Sequence, residues 1–154
     1  TDSLTSEYAI KDNLQEEMLR ILLKRFIILC TRIAREKFSV SPEREKAFDM
    51  VRQFYVLVDN HFKEKKMVQD YADMLHRSPK TLSNLFTTCG LPSPLRIIHE
   101  RIEAEAKRLL LYSQKSAKEI TEILGFEDQA TFSRFFKKMT GESVSEYRKR
   151  EKRE

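Results

Sequence analysis

Two stretches of the chain match one another at an offset of 49 to 50 residues. Val68, Ala72 and Leu75 correspond to Ala117, Thr121 and Leu124. After one extra residue in the second copy's turn, Leu82, Ser83, Leu85, Phe86 and Ser93 correspond to Phe132, Ser133, Phe135, Phe136 and Ser143. Within each copy the apolar residues recur at i, i+3, i+4 and i+7, the spacing of one helix face: Leu82, Leu85, Phe86 and Cys89, then Phe132, Phe135, Phe136 and Met139. The repeat therefore predicts two copies of one unit, a short helix, a tight turn and a second helix.

The turn residues fit that unit. Gly125, followed by Phe126, accepts the positive φ that a sharp helix-helix corner needs; His76 occupies the same place in the first copy and can visit that region at some cost. Ser78 and Pro79 cap and start the next helix of the first copy, and Glu127 or Asp128 does so in the second. Between the copies, Ser93 and Pro94 open a helix running to about Tyr112, with Leu95, Ile98, Ile102, Ala106 and Leu109 inward. Roughly 18 helical residues span about 27 Å.

The chain has 154 residues with only 3 Gly and 4 Pro, so long helices are favoured and the expected fold class is all-α. Gly90, Gly125 and Gly141 are too scattered for a phosphate-binding or dinucleotide-binding glycine loop. Cys30 and Cys89 sit singly in apolar helical patterns and read as reduced core thiols. The most apolar run, Ile21 to Cys30, is interrupted by Lys24 and Arg25 and is shorter than the roughly 20 residues of a membrane span. A soluble, cytoplasmic protein without membrane association is expected. The start at Thr1, with no initiator methionine, suggests a piece of a longer chain or a processed product.

From about Asp12 to Lys37 one long helix is predicted, with Leu14, Met18, Ile21, Leu22, Phe26, Leu29 and Ile33 in register and Leu19, Leu23, Ile27 and Ile28 widening the stripe. Such a stripe asks for a second partner, and two are expected equally: a second copy of the chain, giving homodimerisation through residues 10–33, or a missing N-terminal domain on which the helix packs. Ser41 and Pro42 then start a new helix carrying Ala47, Val51, Phe54, Tyr55, Val58 and Phe62 on its inner face. The predicted organisation is a helical linker or dimerisation segment over 1–41 and a second domain over 42–154. That domain holds a first helix-turn-helix at about 68–89, a linker helix at about 94–112 and a second helix-turn-helix at about 117–139.

Opposite the buried stripe of each unit's second helix lie Lys80, Ser83, Asn84 and Thr87 in one copy and Ala130, Ser133, Arg134 and Lys137 in the other. No acidic residue interrupts either set, although the chain carries 24 Asp and Glu at a net charge of +5. A carboxylate-free face at equivalent positions of a duplicated unit points to a polyanion. Small hydroxyls permit close approach, Asn suits adenine and Arg suits guanine, while Lys137 and Lys138 suit phosphates. A linker of the predicted length sets two such helices into adjacent major grooves, which repeat at about 34 Å. An enzyme is disfavoured because His61, His76 and His99 form no ligand or nucleophile arrangement and read as surface or cap residues. No metal or cofactor is expected. Single-stranded RNA is disfavoured because Phe and Tyr fall mostly on the buried stripes. The alternative is a helical protein-protein interaction module without specific DNA binding, since residues 10–33 alone could dock on a partner.

The run from Ala117 to Gly141 (AKEITEILGFEDQATFSRFFKKMTG) is similar to the signature of the AraC/XylS family of bacterial transcription regulators. Tyr71 to Leu75 followed by Ser78 to Phe86 resembles that family's first helix-turn-helix, and the resemblance covers about Pro42 to Arg150. It implies sequence-specific double-stranded DNA binding through recognition helices at about 79–89 and 128–139, with base contacts from Lys80, Ser83 and Asn84 and from Gln129, Ser133 and Arg134. It further implies a sensor domain outside this sequence, and RNA polymerase as a further partner; activation is the expected direction. Two positions depart from the family pattern: Ala130 replaces a polar reader, and Val144 follows Ser143 where proline is usual. The second departure is expected to matter only where the last helix starts.

Overall fold

A computed structural model describes residues 21–30 and 41–151, and every regular element among them is a helix. The chain divides into a unit Thr1–Glu45 and a unit Lys46–Glu154. In the first, residues 21–30 form helix α1; the remainder of the predicted 12–37 helix lies outside the described residues. Ile21, Leu23, Phe26, Ile27, Ile28 and Leu29 are all exposed, as the width of the stripe anticipates. Cys30, expected as a core thiol, is exposed as well. A stripe that wraps so far round a helix leaves some of its members without cover.

Helix α2 (Pro42–His61) starts where Ser41 and Pro42 place it, with the Arg44 amide donating to Ser41 Oγ at 3.4 Å and Glu43 and Glu45 in the first turn. It buries Val51, Phe54 and Val58, and Phe62 follows just beyond its end. Tyr55, expected on the same face, is 40% exposed: it lies at the rim of the stripe, with its ring 6.5 Å from Phe54 and 6.4 Å from Phe86 between centroids. The first helix-turn-helix is α3 (Val68–Met74) and α4 (Pro79–Thr88), with Ser78 Oγ accepting from the Thr81 amide at 3.1 Å. The Phe54 ring is the centre of this half, 5.5 Å from Tyr71 and 5.0 Å from Phe86 between centroids.

The linker, α5 (Pro94–Tyr112), is capped by Ser93 as predicted, and its 19 residues span roughly 28 Å at ~1.5 Å each. Ile98, Ile102, Ala106 and Leu109 point inward as expected; Leu95 does not, and is 42% exposed. In the first turn the inward direction is taken by Pro94 and Ile97, both buried. The second helix-turn-helix is α6 (Ala117–Ile123) and α7 (Gln129–Thr140), followed by α8 (Val144–Glu151). Phe126, Phe132, Phe136 and Tyr147 form its ring stack. Val144 is buried where the family usually has proline, and α8 still starts at it. Ser143 and Glu146 close its first turn, with the Ser143 amide donating to the carboxylate at 2.7 Å.

The corners are as the repeat predicts. His76 holds φ at 53° and Gly125 at 66°, the same left-handed turn made twice.

Among the described residues one charged side chain is buried. Glu105 on α5 is buried, receives both Nε and Nη2 of Arg108 (3.1 and 2.8 Å), and lies 3.6 Å from Arg101. The Arg108 hydrogen bond is the main reason that its carboxyl sits below the ordinary carboxylate value; burial opposes the shift, and the charges of Arg108, Arg101 and Lys63 add to it. With a depressed folded pKa, the stabilisation is complete above the unfolded value and is lost as pH falls through the folded one. Urea midpoints measured from pH 7 downward should therefore fall less steeply in Glu105→Gln than in the wild type. Equal slopes would refute this role for Glu105.

Candidate nucleic-acid interface

The two second helices of the repeat, α4 and α7, are held by the stripes that face the core. Leu82 and Phe86, and likewise Phe132 and Phe136, are fully buried; Leu85, Cys89, Phe135 and Met139 are half-buried. Anchoring one face leaves the other to solvent. Lys80, Ser83, Asn84 and Thr87 are all exposed on α4, and Gln129, Arg134, Lys137 and Lys138 are exposed on α7, with Ser133 half-buried beside them. Ala130 is exposed too, at the position where a polar reader was missing from the sequence. The helix bounds shift slightly: Cys89 is the C-cap of α4, and Asp128 is the N-cap of α7 rather than its first residue.

The choice between Glu127 and Asp128 is thereby settled in favour of Asp128. Its carboxylate accepts from the Thr131 amide at 2.7 Å and from the Thr131 hydroxyl at 3.1 Å. The amide bond chiefly holds the Asp128 carboxyl below its ordinary value, with Arg134 contributing further. Arg134 Nη2 in turn donates to Thr131 Oγ1 at 3.3 Å. Thr131 thus links the cap to the guanidinium and biases its orientation, a role the sequence reading missed. The signal was there in the three-residue step from a capping Asp to Thr, the pattern of a side chain that bonds back to a helix start.

The first helix is organised differently. The Thr87 hydroxyl donates to the Ser83 carbonyl at 2.9 Å, and Thr88 does the same to Asn84. Thr87 therefore keeps only acceptor capacity for an outside partner, while Ser83 and Asn84 keep their side chains available.

Neither helix carries an acid, in its first turn or elsewhere. Besides the Asp128 cap, Glu146 on α8 influences this region: the Ser143 hydroxyl, then its amide, pull its pKa down, with Lys137 adding a smaller effect. Among the described residues the Lys137 ammonium is in no direct ion pair, and it meets Glu146 only at longer range. His99, expected at the surface, is half-buried: its ring meets Phe135 edge-on at 5.3 Å, and burial, then Lys138, lower its pKa. His61 lies 3.8 Å from Glu64, and His76 makes the first corner. Among the described residues no group of three or more His, Cys, Asp or Glu could hold a metal ion, and no helix is long and apolar enough to cross a membrane. Phe26, Phe48, Tyr55 and Tyr112 are exposed, none of them on α4 or α7.

Comparison with known proteins agrees with this architecture. A helix-turn-helix domain family model matches residues 71–150. The HTH-type transcriptional regulator YisR of Bacillus subtilis is 30% identical over 122 residues, 79% of this chain and 41% of that protein. The arabinose operon regulatory protein of Salmonella typhimurium is 36% identical over 92 residues, 60% of this chain and 31% of its own length. The chain thus spans less than half the length of these relatives. Among solved structures, the C-terminal domain of AraT, a response regulator from Geobacillus stearothermophilus, superposes with a TM-score of 0.60 at 29% identity, covering 65% of this chain and 84% of that one. These relatives are transcription regulators, and a helical interaction module without DNA binding is not favoured. A duplicated helix-turn-helix about a long linker, matched over more than half its length, places the chain in the AraC/XylS family of helix-turn-helix transcriptional regulators.

Proposed function

We propose that this protein regulates transcription by binding double-stranded DNA sequence-specifically, with α4 and α7 in adjacent major grooves. The observation that carries the reading is the pair of exposed, acid-free faces at equivalent positions of the repeat. Lys80, Ser83, Asn84 and Thr87 read or approach one box; Gln129, Ser133 and Arg134 read the other; Lys137 and Lys138 hold phosphates. Ala130 offers only a methyl group, so Arg134 carries most of the base discrimination of α7. In this reading the protein is not an enzyme, and it uses no cofactor. It acts in the cytoplasm, with RNA polymerase as a further partner when it activates.

The same reading divides the chain into a segment 1–41 and a DNA-binding domain 42–154. The exposed apolar side chains of α1 support homodimerisation through residues 10–33. Sedimentation tests it: a weight that rises from monomer to dimer over tens of micromolar is expected, and a strict monomer would overturn the pairing.

The experiment for DNA recognition is selection from a randomised duplex pool at near-physiological salt. Two short boxes about one helical turn apart should be recovered. Arg134→Ala should relax the preference at one base pair, costing ~1 to 3 kcal/mol, whereas Lys137→Ala should weaken binding to every sequence and lower the salt slope by about one. An Arg134→Ala protein with unchanged affinity and preference would remove α7 from the interface.

A further inference from the structure

The two corners of the repeat make the same turn with different residues. His76 and Gly125 have φ of 53° and 66°, so the left-handed backbone does not by itself require glycine in this fold. The difference lies in what packs against each corner. His76 is exposed. A Cβ on Gly125 would fall well inside 3.0 Å of the Lys63 carbonyl oxygen and come to 3.1 Å from Lys66 Nζ.

Lys63 and Lys66 belong to the loop between α2 and α3, on the side of the first helix-turn-helix, whereas Gly125 is the corner of the second. That loop is fixed in the first core: the fully buried Tyr71 donates its hydroxyl to the Lys65 carbonyl at 2.8 Å. Lys66 Nζ donates to the Lys63 carbonyl at 2.7 Å and stands 5.1 Å from the centre of the Phe126 ring. Phe126 packs on Phe132 and Phe135, at 5.4 and 5.3 Å, two residues on the core side of α7. A direct contact thus runs from the core of the first unit to the second recognition helix without passing through α5.

A helix that bridges two units can still rock against either of them. A second contact that bypasses it closes the linkage and removes that freedom. We propose that the Lys63–Lys66 loop clasps the Gly125–Phe126 corner, with Lys66 as a positioning residue, and so fixes the angle between α4 and α7 and the spacing of the DNA boxes the protein accepts. The inference rests on the reading that both helices enter DNA. Burial lowers the Lys66 pKa, consistent with an ammonium half covered by backbone and ring.

The test uses the full chain and duplexes carrying the two selected boxes at their native spacing, or with one or two base pairs inserted or removed. Wild type should lose roughly tenfold or more in affinity on each change of spacing, because displaced grooves rotate out of reach of a fixed pair of helices. Lys66→Ala and Gly125→Ala should bind all spacings within about threefold of one another, with the base preference in each box unchanged. Gly90→Ala is the control: Gly90 has φ +68° and nothing within 4 Å of an added Cβ, so its strain comes without a clash, and wild-type discrimination should persist. If Gly125→Ala fails to fold, Lys66→Ala decides, since that side chain is only half-buried in a loop. Its spacing ratio is insensitive to a simple loss of one positive charge, which would weaken all duplexes alike. A folded Lys66→Ala with wild-type discrimination overturns the clasp. So does a wild type that reads both boxes at any spacing. A wild type that enriches no box at all overturns instead the reading of function beneath it.

Discussion

Replacing Phe54 by alanine is expected to lower the unfolding free energy by about 3–5 kcal/mol, the largest stability loss of any single change suggested by this fold. The ring is completely buried and joins three helices, lying against Tyr71 of α3 and Phe86 of α4 from its own place on α2. Truncation removes transfer energy and leaves a cavity whose walls, held by helix backbones, relax only in part. Domains of this size hold only about 5–15 kcal/mol in total, so the first helix-turn-helix would be marginal and α4 would lose its fixed orientation. Tyr55→Ala, one residue along, is the comparison: its ring is 6.4 Å from Phe86 and substantially exposed, and the expected loss is under about 1 kcal/mol. Urea unfolding followed by circular dichroism measures both. A Phe54→Ala midpoint close to that of Tyr55→Ala would contradict the packing described for α2.

The contrast between those neighbours shows where the sequence is legible. Apolar residues three and four apart told which face of α2 turns inward, and Val51, Phe54, Val58 and Phe62 obey it. The same spacing does not say how wide the covered stripe is. That width depends on which helices arrive against it, and so Tyr55 on α2 and Leu95 in the first turn of α5 were assigned inward and are exposed. Local chemistry was the most readable layer: Ser78, Ser93 and Asp128 cap, and His76 takes the left-handed φ that alignment with Gly125 required. Each of these depends on a few residues in a row.

The exposed faces of α4 and α7 were legible as the complement of the buried stripes. What those side chains do within the molecule was not, because Thr87 bonding back to Ser83 and Thr131 bridging Asp128 to Arg134 depend on rotamers. Non-local features were least readable. Burial of Glu105 depends on what packs beside α5, which its own neighbours in sequence do not reveal, and the approach of Lys63 to Gly125 joins positions far apart in sequence. Alignment marked Gly125 as a turn glycine; only the packed chain shows a second reason for it.

A carboxylate placed on either recognition face is expected to have the largest effect on binding. Ser83 and Ser133 occupy equivalent positions of the repeat, and neither side chain makes a hydrogen bond within the protein among the described residues. Ser→Ala at either site therefore removes little, and Ser→Glu mainly reports what comes to face it. Like charges brought together in an interface cost several kcal/mol, so each of Ser83→Glu and Ser133→Glu should weaken binding to the selected duplex by roughly a hundredfold or more at near-physiological salt. The double variant should show no measurable affinity. Far-UV circular dichroism should stay unchanged, since Ser83 is exposed and Ser133, though half-buried, lies off the fully buried stripe of Phe132 and Phe136. The two single variants also separate the two-groove reading from a simpler one. Loss in Ser133→Glu with wild-type affinity in Ser83→Glu would confine DNA to the second unit, and the converse would confine it to the first. Normal binding by both would mean that the acid-free faces do not approach DNA, because phosphates within reach of a helix face cannot ignore a carboxylate placed on it.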